Sequence, residues 1–145
     1  MLFRSAARGE VDLLAATLAQ AVDTVRRYLG YWSHTTAESA VSTTHGKINA
    51  VVPANRRRAY DMRKIIKAFA DASSVLELRP SYAPSMLTCL ARLGGRGIGI
   101  FANQPLSPRA GAIDSAAADK AARFVELCDA YELPLVSFEI GRAHV

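Results

Sequence analysis

The feature that most constrains the fold is an apolar run at residues 97–102, Gly-Ile-Gly-Ile-Phe-Ala, which follows the glycine pair Gly94-Gly95. Every position of the run is apolar or glycine, so both faces of the strand that it predicts must be covered by other parts of the chain. Paired glycines supply the positive φ of tight hairpin turns, which predicts that a strand at 86–93 pairs with this run. A shorter strand is predicted at 75–78. The chain therefore needs layers on both sides of a sheet.

A helical pattern follows the central strand after a ten-residue loop at 104–113. The helix is predicted at 115–131, with Asp114 or Ser115 as its N-terminal cap, and its early turns are mostly alanine. Residues 135–138 then begin another apolar strand. A hairpin that leads into a helix and back to a strand predicts an α/β layered domain.

Two further helices are predicted on the N-terminal side of the hairpin. In residues 11–29 apolar side chains recur every three or four positions, and Gly30 ends the pattern. Residues 61–70 show the same spacing, and Asp61 suits the electropositive first turn. The polar stretch at 33–47 has no period and is predicted to be a linker. The stripe of the first helix consists of Val11, Leu14, Leu18, Val22, Val25 and Leu29.

Length and charge narrow the function classes. A chain of 145 residues, 50% apolar and 21% charged, fits one globular domain rather than a disordered protein. The net charge of +5 is confined to residues 56–67, where six basic residues and one acid leave a surplus of five. Such a cluster could bind nucleic acid or a phosphate-bearing ligand, but a solvated helix surface with salt bridges is its more ordinary interpretation.

The reactive side chains form no catalytic or metal-binding pattern. Cys89 and Cys128 are too few for a disulfide framework, and we interpret both as free buried thiols. His34, His45 and His144 show no metal-ligand spacing, there is no Ser-His-acid arrangement, and no cysteine has a histidine nearby in the sequence. No apolar run approaches the ~20 residues that span a bilayer. We therefore expect a cytoplasmic protein without membrane contact.

Several short segments, in a fixed order, carry a family resemblance. They are 52–63 (VPANRRRAYDMR), 91–105 (ARLGGRGIGIFANQP), 111–125 (GAIDSAAADKAARFV), 127–131 (LCDAY) and 133–136 (LPLV). Together they resemble the carboxyltransferase (beta) subunit of biotin-dependent acyl-CoA carboxylases, the acetyl-/propionyl-CoA carboxylase family. The helix at 11–29 is similar to the end of the family's first half. One departure is Ser107-Pro108-Arg109, which stands where the family's loop is usually more apolar.

The resemblance implies a crotonase-like (ClpP/crotonase) α/β layered fold, here truncated and preceded by a helix and a linker. It divides the chain into the end of the N-terminal carboxyltransferase half at 1–32, a linker at 33–52, and the start of the C-terminal half at 53–138. We interpret about the first five residues, and residues 139–145, as the translation of a sequencing adapter. The strand at 135–138 would then lack its continuation.

The resemblance also implies an activity: transfer of a carboxyl group from carboxybiotin to the α-carbon of an acyl-CoA such as acetyl-CoA or propionyl-CoA. Family members bind biotin as carboxybiotin on a carrier domain, take acyl-CoA as substrate and need no metal in this component. Their partners are a biotin carboxylase, a biotin carrier subunit and further carboxyltransferase subunits in a homo-oligomer, not nucleic acid or membrane. Backbone N–H groups stabilise the oxyanions of biotin and of the thioester enolate. The glycines that donate them have no counterpart here, so we assign no catalytic residue and expect the fragment to be inactive alone.

The candidate substrate-binding residues are Asn103, Gln104, Gly111 and Ala112, on the side where the resemblance places biotin. They flank the loop between the central strand and the N-terminus of the last helix, and such a helix end suits an anionic ligand. An equally open alternative is that Gly111 and Ala112 only allow a tight turn. We expect these residues to lie near the site without acting in the chemistry.

Other functions remain open from the sequence. A crotonase-like hydratase or isomerase shares the fold class but lacks the Asn-Gln-Pro and Asp119–Val125 patterns. A truncated crotonase-like chain that serves as a structural partner is a second alternative. A nucleic-acid-binding module that uses the basic cluster at 56–67 is the third, and steep loss of binding with rising salt would identify it.

Overall fold

The computed structural model describes residues 2–33, 52–53, 55 and 58–139. The elements, in chain order, are α1 (Leu2–Ala7), α2 (Leu18–Gly30), α3 (Met62–Phe69), β1 (Leu76–Leu78), β2 (Met86–Leu93), β3 (Arg96–Asn103), α4 (Ser115–Ala130) and β4 (Leu135–Phe138). The strands form one sheet in the order β1-β2-β3-β4, in which only the β3–β4 pair is parallel. The predicted α/β layered architecture is confirmed, with a hairpin that leads through α4 back to the sheet.

The hairpin between β2 and β3 forms as the sequence predicts. Its turn consists of Gly94 and Gly95, whose φ values of 61° and 80° are those that glycine adopts without strain. The carboxylate of the buried Asp71 accepts hydrogen bonds from both turn amides, at 3.0 Å from Gly94 N and 2.8 Å from Gly95 N. The turn is therefore fixed by a side chain from the α3–β1 connection as well as by its glycines.

Both faces of β3 are covered, as its uniformly apolar sequence requires. Successive residues of a strand point to opposite faces, so Ile98 and Ile100 lie on one side, towards α3. The cluster on that side is formed by Met62, Ile65, Ile66, Ala70, Leu87, Cys89, Ala91, Ile98, Ile100 and Ala102. The cluster on the other side, under α4 and the end of α2, is formed by Tyr31, Leu78, Leu90, Phe124 and Cys128. The predicted helix at 61–70 is α3, and the carboxylate of Asp61 caps it by accepting from Arg63 N at 3.0 Å.

The helix predicted at 11–29 is wrong at its N-terminal end, because α2 begins only at Leu18. The hydroxyl of Thr17 accepts a hydrogen bond from Gln20 N at 3.2 Å, which caps the helix there and replaces an intrahelical bond. Much of the predicted apolar stripe is exposed, with Leu18 at 82% and Leu29 at 59%. The helix is held to the sheet through its last turn and not through the stripe.

The last turn of α2 makes specific polar contacts with the connection before β1. The guanidinium of Arg27 donates to the carbonyls of Ser73, at 2.9 Å, and Val75, at 2.6 Å. The hydroxyl of the buried Tyr31 donates to the carbonyl of Ser74. Residues within the predicted segment 1–32 therefore pack directly on the sheet of the predicted segment 53–138. Most of the linker predicted at 33–52 lies outside the described residues.

Both cysteines are free and buried, and burial raises the pKa of Cys89 to about 12 and of Cys128 to about 11. A thiol in the unfolded chain ionises at lower pH, so below about pH 9 both states hold their protons and the stability is fully present. As the pH rises further, the unfolded state loses protons first and stability falls. We expect no reaction with a thiol reagent at pH 8 before unfolding, and a midpoint of urea denaturation that falls above pH 9. Replacing both cysteines with alanine should make that fall smaller.

Candidate functional site

The structure brings the predicted substrate-binding residues together at one end of β3. Asn103 ends that strand, and its side-chain amide donates to the carbonyl of Gly111 at 3.3 Å. Gly111 is buried with φ at 78°, and a Cβ there would lie 3.3 Å from the Asn103 amide nitrogen. Ala112 follows, half-buried, just before the cap of α4. We call residues 103–112 the candidate loop.

Gln104 is buried, and its side chain is engaged within the protein. Its amide oxygen accepts from Met62 N at 3.1 Å, and its amide nitrogen donates to the Asp61 carboxylate at 2.6 Å. Its backbone N–H donates to the carbonyl of Ser85 at 2.8 Å. Gln104 therefore ties the candidate loop to the start of α3 and to the segment before β2. Both the oxygen and the nitrogen of its side-chain amide are therefore engaged in holding the loop in place.

The backbone N–H groups of the candidate loop are also used internally. Ala110 N donates to the Ser107 carbonyl at 2.8 Å, and Gly111 N donates to the Ser107 hydroxyl at 3.1 Å. Ala112 N donates to the carbonyl of Arg109 at 3.0 Å. These three donors therefore do not form an oxyanion-binding pair in this conformation. The φ of Gly111 supports the alternative that this glycine serves a tight turn.

The N-terminus of α4 already carries a negative charge of its own. Asp114 caps the helix, with its carboxylate accepting from Ala117 N at 2.8 Å, and it pairs with the guanidinium of Arg109 at 2.8 Å. This carboxylate therefore occupies the helix N-terminus, where the sequence predicted that an anionic ligand could bind. A small cavity of about 110 Å³ lies beside it, lined in part by Ser85 and Ser107.

Two large apolar side chains project from the candidate loop and its end. Leu106 is 56% exposed and Ile113 is 52% exposed, while the backbone N–H groups of residues 110–112 bond within the loop. Neither side chain was predicted from the sequence as a site residue. They could have been noticed in the sequence, because both are branched apolar residues in a predicted loop and not in a helix or strand. The outer surface of the candidate loop therefore carries two apolar side chains together with the exposed Arg109, whose guanidinium pairs with Asp114.

The basic cluster predicted at 56–67 is only partly available for binding. Arg63 makes a bidentate ion pair with Glu77 of β1, at 2.7 Å for each nitrogen. Lys64 and Lys67 are exposed on α3, and Arg56 and Arg57 lie outside the described residues. The salt-bridged helix surface is the interpretation that Arg63 supports. Across the described part of the chain, no helix is long and apolar enough to cross a membrane.

The layered sheet, with its hairpin and the loop that leads into α4, makes the described part of the chain an α/β domain, and its solved structural neighbours are carboxyltransferases. Residues 5–139 match the Carboxyl transferase domain family, and the chain belongs to this family. The resemblance and the fold class predicted from the sequence are confirmed.

Individual relatives agree with this assignment. The chain is 44% identical over 108 residues to the biotin-dependent acetyl-/propionyl-coenzyme A carboxylase beta6 subunit of Mycobacterium tuberculosis, an alignment that covers 74% of this chain and 22% of the relative. It superposes with a TM-score of 0.84, at 37% identity, on a single-chain, multi-domain long-chain acyl-CoA carboxylase, covering 95% of this chain and 15% of that one. With transcarboxylase 12S the TM-score is 0.81 at 31% identity, covering 93% and 27%. The chain spans about a sixth to a quarter of the length of the curated relatives it matches.

Proposed function

We propose that this chain is part of a carboxyltransferase that moves a carboxyl group from carboxybiotin to the α-carbon of an acyl-CoA. The observation that carries the proposal is the family match over residues 5–139, almost the whole chain. The relative from M. tuberculosis is named as a biotin-dependent acetyl-/propionyl-CoA carboxylase subunit, which supports the same substrate class here. The partners of such an enzyme would be a biotin carboxylase, a biotin carrier and further carboxyltransferase subunits. The transcarboxylase 12S structure is described as a hexamer assembly and a multienzyme core, which supports the homo-oligomer.

The candidate loop would form part of the surface that contacts carboxybiotin, without taking part in the reaction. Asn103, Gln104, Gly111 and Ala112 give the loop its form, because their polar groups bond within the loop, to α3 or to the segment before β2. Oxyanions of the reaction need N–H donors that are free to turn towards them, so those donors would come from outside the candidate loop. What the loop does offer is the exposed apolar surface of Leu106 and Ile113, which fits the hydrocarbon part of a biotin arm. Carboxybiotin itself supplies the carboxyl group.

A chimeric enzyme tests this proposal. In it, the stretch of the M. tuberculosis beta6 subunit that aligns with this chain is replaced by the corresponding residues of this chain. Carboxyl transfer is then measured from a carboxylated biotin carrier to propionyl-CoA. Activity well above that of the same enzyme with the stretch deleted would support a carboxyltransferase role for these residues.

Replacing Ile113 with asparagine in this chimera should raise the KM for the biotin carrier about 5- to 10-fold, because an apolar contact of one side chain is worth about 1–1.4 kcal/mol. The side chain is half exposed, so the fold should tolerate the change. Leu93→Asn is the matched control, since Leu93 is 38% exposed at the opposite end of the hairpin. Equal KM values for the biotin carrier in Ile113→Asn and Leu93→Asn would show that the candidate loop does not contact biotin.

A further inference from the structure

Lys120 is a buried cation with no part in the proposed chemistry. It lies in α4 and is 1% exposed. Its ammonium donates three hydrogen bonds to backbone carbonyls, at 2.9 Å to Arg79, 2.8 Å to Tyr82 and 2.8 Å to Met86. An ammonium has three N–H donors and each meets one acceptor, so this side chain is fully satisfied by a single stretch of backbone.

That stretch, residues 79–86, has a conformation that its own sequence does not favour. Arg79 has φ at 52° and Ala83 has φ at 43°, and both are non-glycine residues in the left-handed region. Such residues persist only where the surroundings determine them. One end of the stretch is held by Asp12, whose backbone carbonyl accepts from Arg79 N at 2.8 Å and whose carboxylate pairs with the Arg79 guanidinium at 2.6 Å. Lys120 holds the remainder.

The same stretch supports the candidate loop. The carbonyl of Ser85 accepts from Gln104 N at 2.8 Å, and Met86 is the strand partner of Asn103 in the β2–β3 register. The position of residues 79–86 therefore sets where the candidate loop leaves β3. A displacement of Met86 or Ser85 would therefore also displace Asn103 or Gln104, two of the predicted substrate-binding residues.

We infer that Lys120 is a positioning residue for the candidate loop, acting through the backbone of residues 79–86. The inference rests on the proposed function only where it treats that loop as part of the site. Lys120 donates to the carbonyl of Met86, which is the strand partner of Asn103, and the adjacent carbonyl of Ser85 accepts from Gln104 N. Lys120 touches no substrate in this arrangement and is not a catalytic residue.

The electrostatic surroundings of Lys120 agree with a role in fixing geometry. Burial lowers its pKa to about 8, a shift that the nearby carboxylate of Glu77 opposes. At pH 7 the amine is therefore mostly the ammonium, the form with three N–H donors. The titratable and charged groups around it are Glu77 of β1, Cys89 of β2, Arg63 of α3, Arg79 of the supported stretch, Asp12 and Tyr28 from the N-terminal side, and Arg123 and Glu126 of α4.

The sign of the pH dependence follows from that pKa. When residues 79–86 open, the amine meets water and regains a pKa near 10.5, the ordinary value for lysine. The open form then binds more protons between about pH 8 and pH 10.5, so closing becomes more favourable as the pH rises through that range. A side chain at position 120 that does not titrate should remove this dependence.

Hydrogen exchange of backbone amides in the chain tests the inference with the variant Lys120→Met and the control Lys64→Met, which alters an exposed lysine on α3. Lys120→Met should lower the protection of the Tyr82, Met86 and Gln104 amides at least about 10-fold, since each donates to a carbonyl in or next to the supported stretch. The amide of Leu90, in the middle of β2, should change much less. The unmodified chain should also gain protection at Gln104 above pH 8, relative to Lys120→Met.

A uniform loss of protection that includes Leu90, or no loss at Gln104, would overturn the inference. If Lys120→Met does not fold, acylation of lysines in the unmodified chain decides instead. Lys120 should then react at least about 100-fold more slowly than Lys64 at pH 7, and comparable rates would exclude the buried ammonium. An inactive chimera with these exchange results intact would reject the proposed function and leave the positioning role standing.

Discussion

Replacing Gly97 with alanine is expected to destabilise the chain by about 3 kcal/mol or more, because there is no room for the added Cβ. A Cβ at Gly97 would overlap the backbone carbonyl oxygen of Tyr31 and approach the Leu133 side chain to 3.4 Å. A backbone atom cannot rotate away as a side chain can, so the end of α2 would have to lift from β3. That movement would break the bonds that Arg27 and Tyr31 make to residues 73–75.

Urea denaturation followed by circular dichroism measures this effect, and Gly30→Ala is the matched control. Gly30 is the last residue of α2, and the atom nearest to a Cβ there is a flexible arginine nitrogen at 3.7 Å. That control should change the free energy of unfolding by less than about 1 kcal/mol. A Gly97→Ala chain as stable as Gly30→Ala would show that α2 does not rest on β3 as described.

Replacing Asp71 with alanine should cost about 2–4 kcal/mol, because two backbone amides of the hairpin turn lose a charged acceptor. Gly95 is buried, so its N–H would not be fully compensated by water. Asp71 also donates its own N–H to the carbonyl of Arg92 at 2.8 Å, and the substitution leaves that bond in place. The effect therefore reports on the carboxylate alone.

The free energy of unfolding of Asp71→Ala is best compared with those of Asp71→Asn and Asp129→Ala. Asparagine keeps one oxygen acceptor and should recover about half of the loss, since charge-assisted bonds are the stronger ones. Asp129 is exposed on α4, and its removal should change stability by less than about 0.5 kcal/mol. Equal stabilities of Asp71→Ala and Asp129→Ala would show that the glycines alone hold the turn.

The hairpin and α4 could be predicted from the sequence because local and tertiary signals agree there. The run at 97–102 has no polar face, and the glycine pair before it allows only a tight turn, so register and burial follow together. The start of α2 could not be predicted from periodicity, since the apolar spacing continues back to Val11 while the Thr17 cap ends the helix at Leu18. Much of that stripe is exposed, so packing within the described residues did not create the pattern.

The sequence predicted that the candidate residues lie close together, but not which groups their side chains bond to. The family resemblance located Asn103, Gln104 and Gly111, which do meet at one end of β3. Nothing in the sequence indicates that the amide of Gln104 bonds to α3, because that partner lies 42 residues away. The role of Lys120 was hidden for the same reason, since a lysine in a helix ordinarily faces solvent and this one reaches carbonyls 34 or more residues distant.

The central claim is that this chain carries a working part of a carboxyltransferase, and carboxyl transfer by the chimera tests it most directly. The measured quantity is incorporation of the carboxyl group of a labelled carboxybiotin carrier into propionyl-CoA. We predict a rate within about 100-fold of the parent enzyme, since homologous residues at 44% identity should preserve the geometry of the site. A chimera that folds and assembles like the parent but transfers no label would contradict the claim.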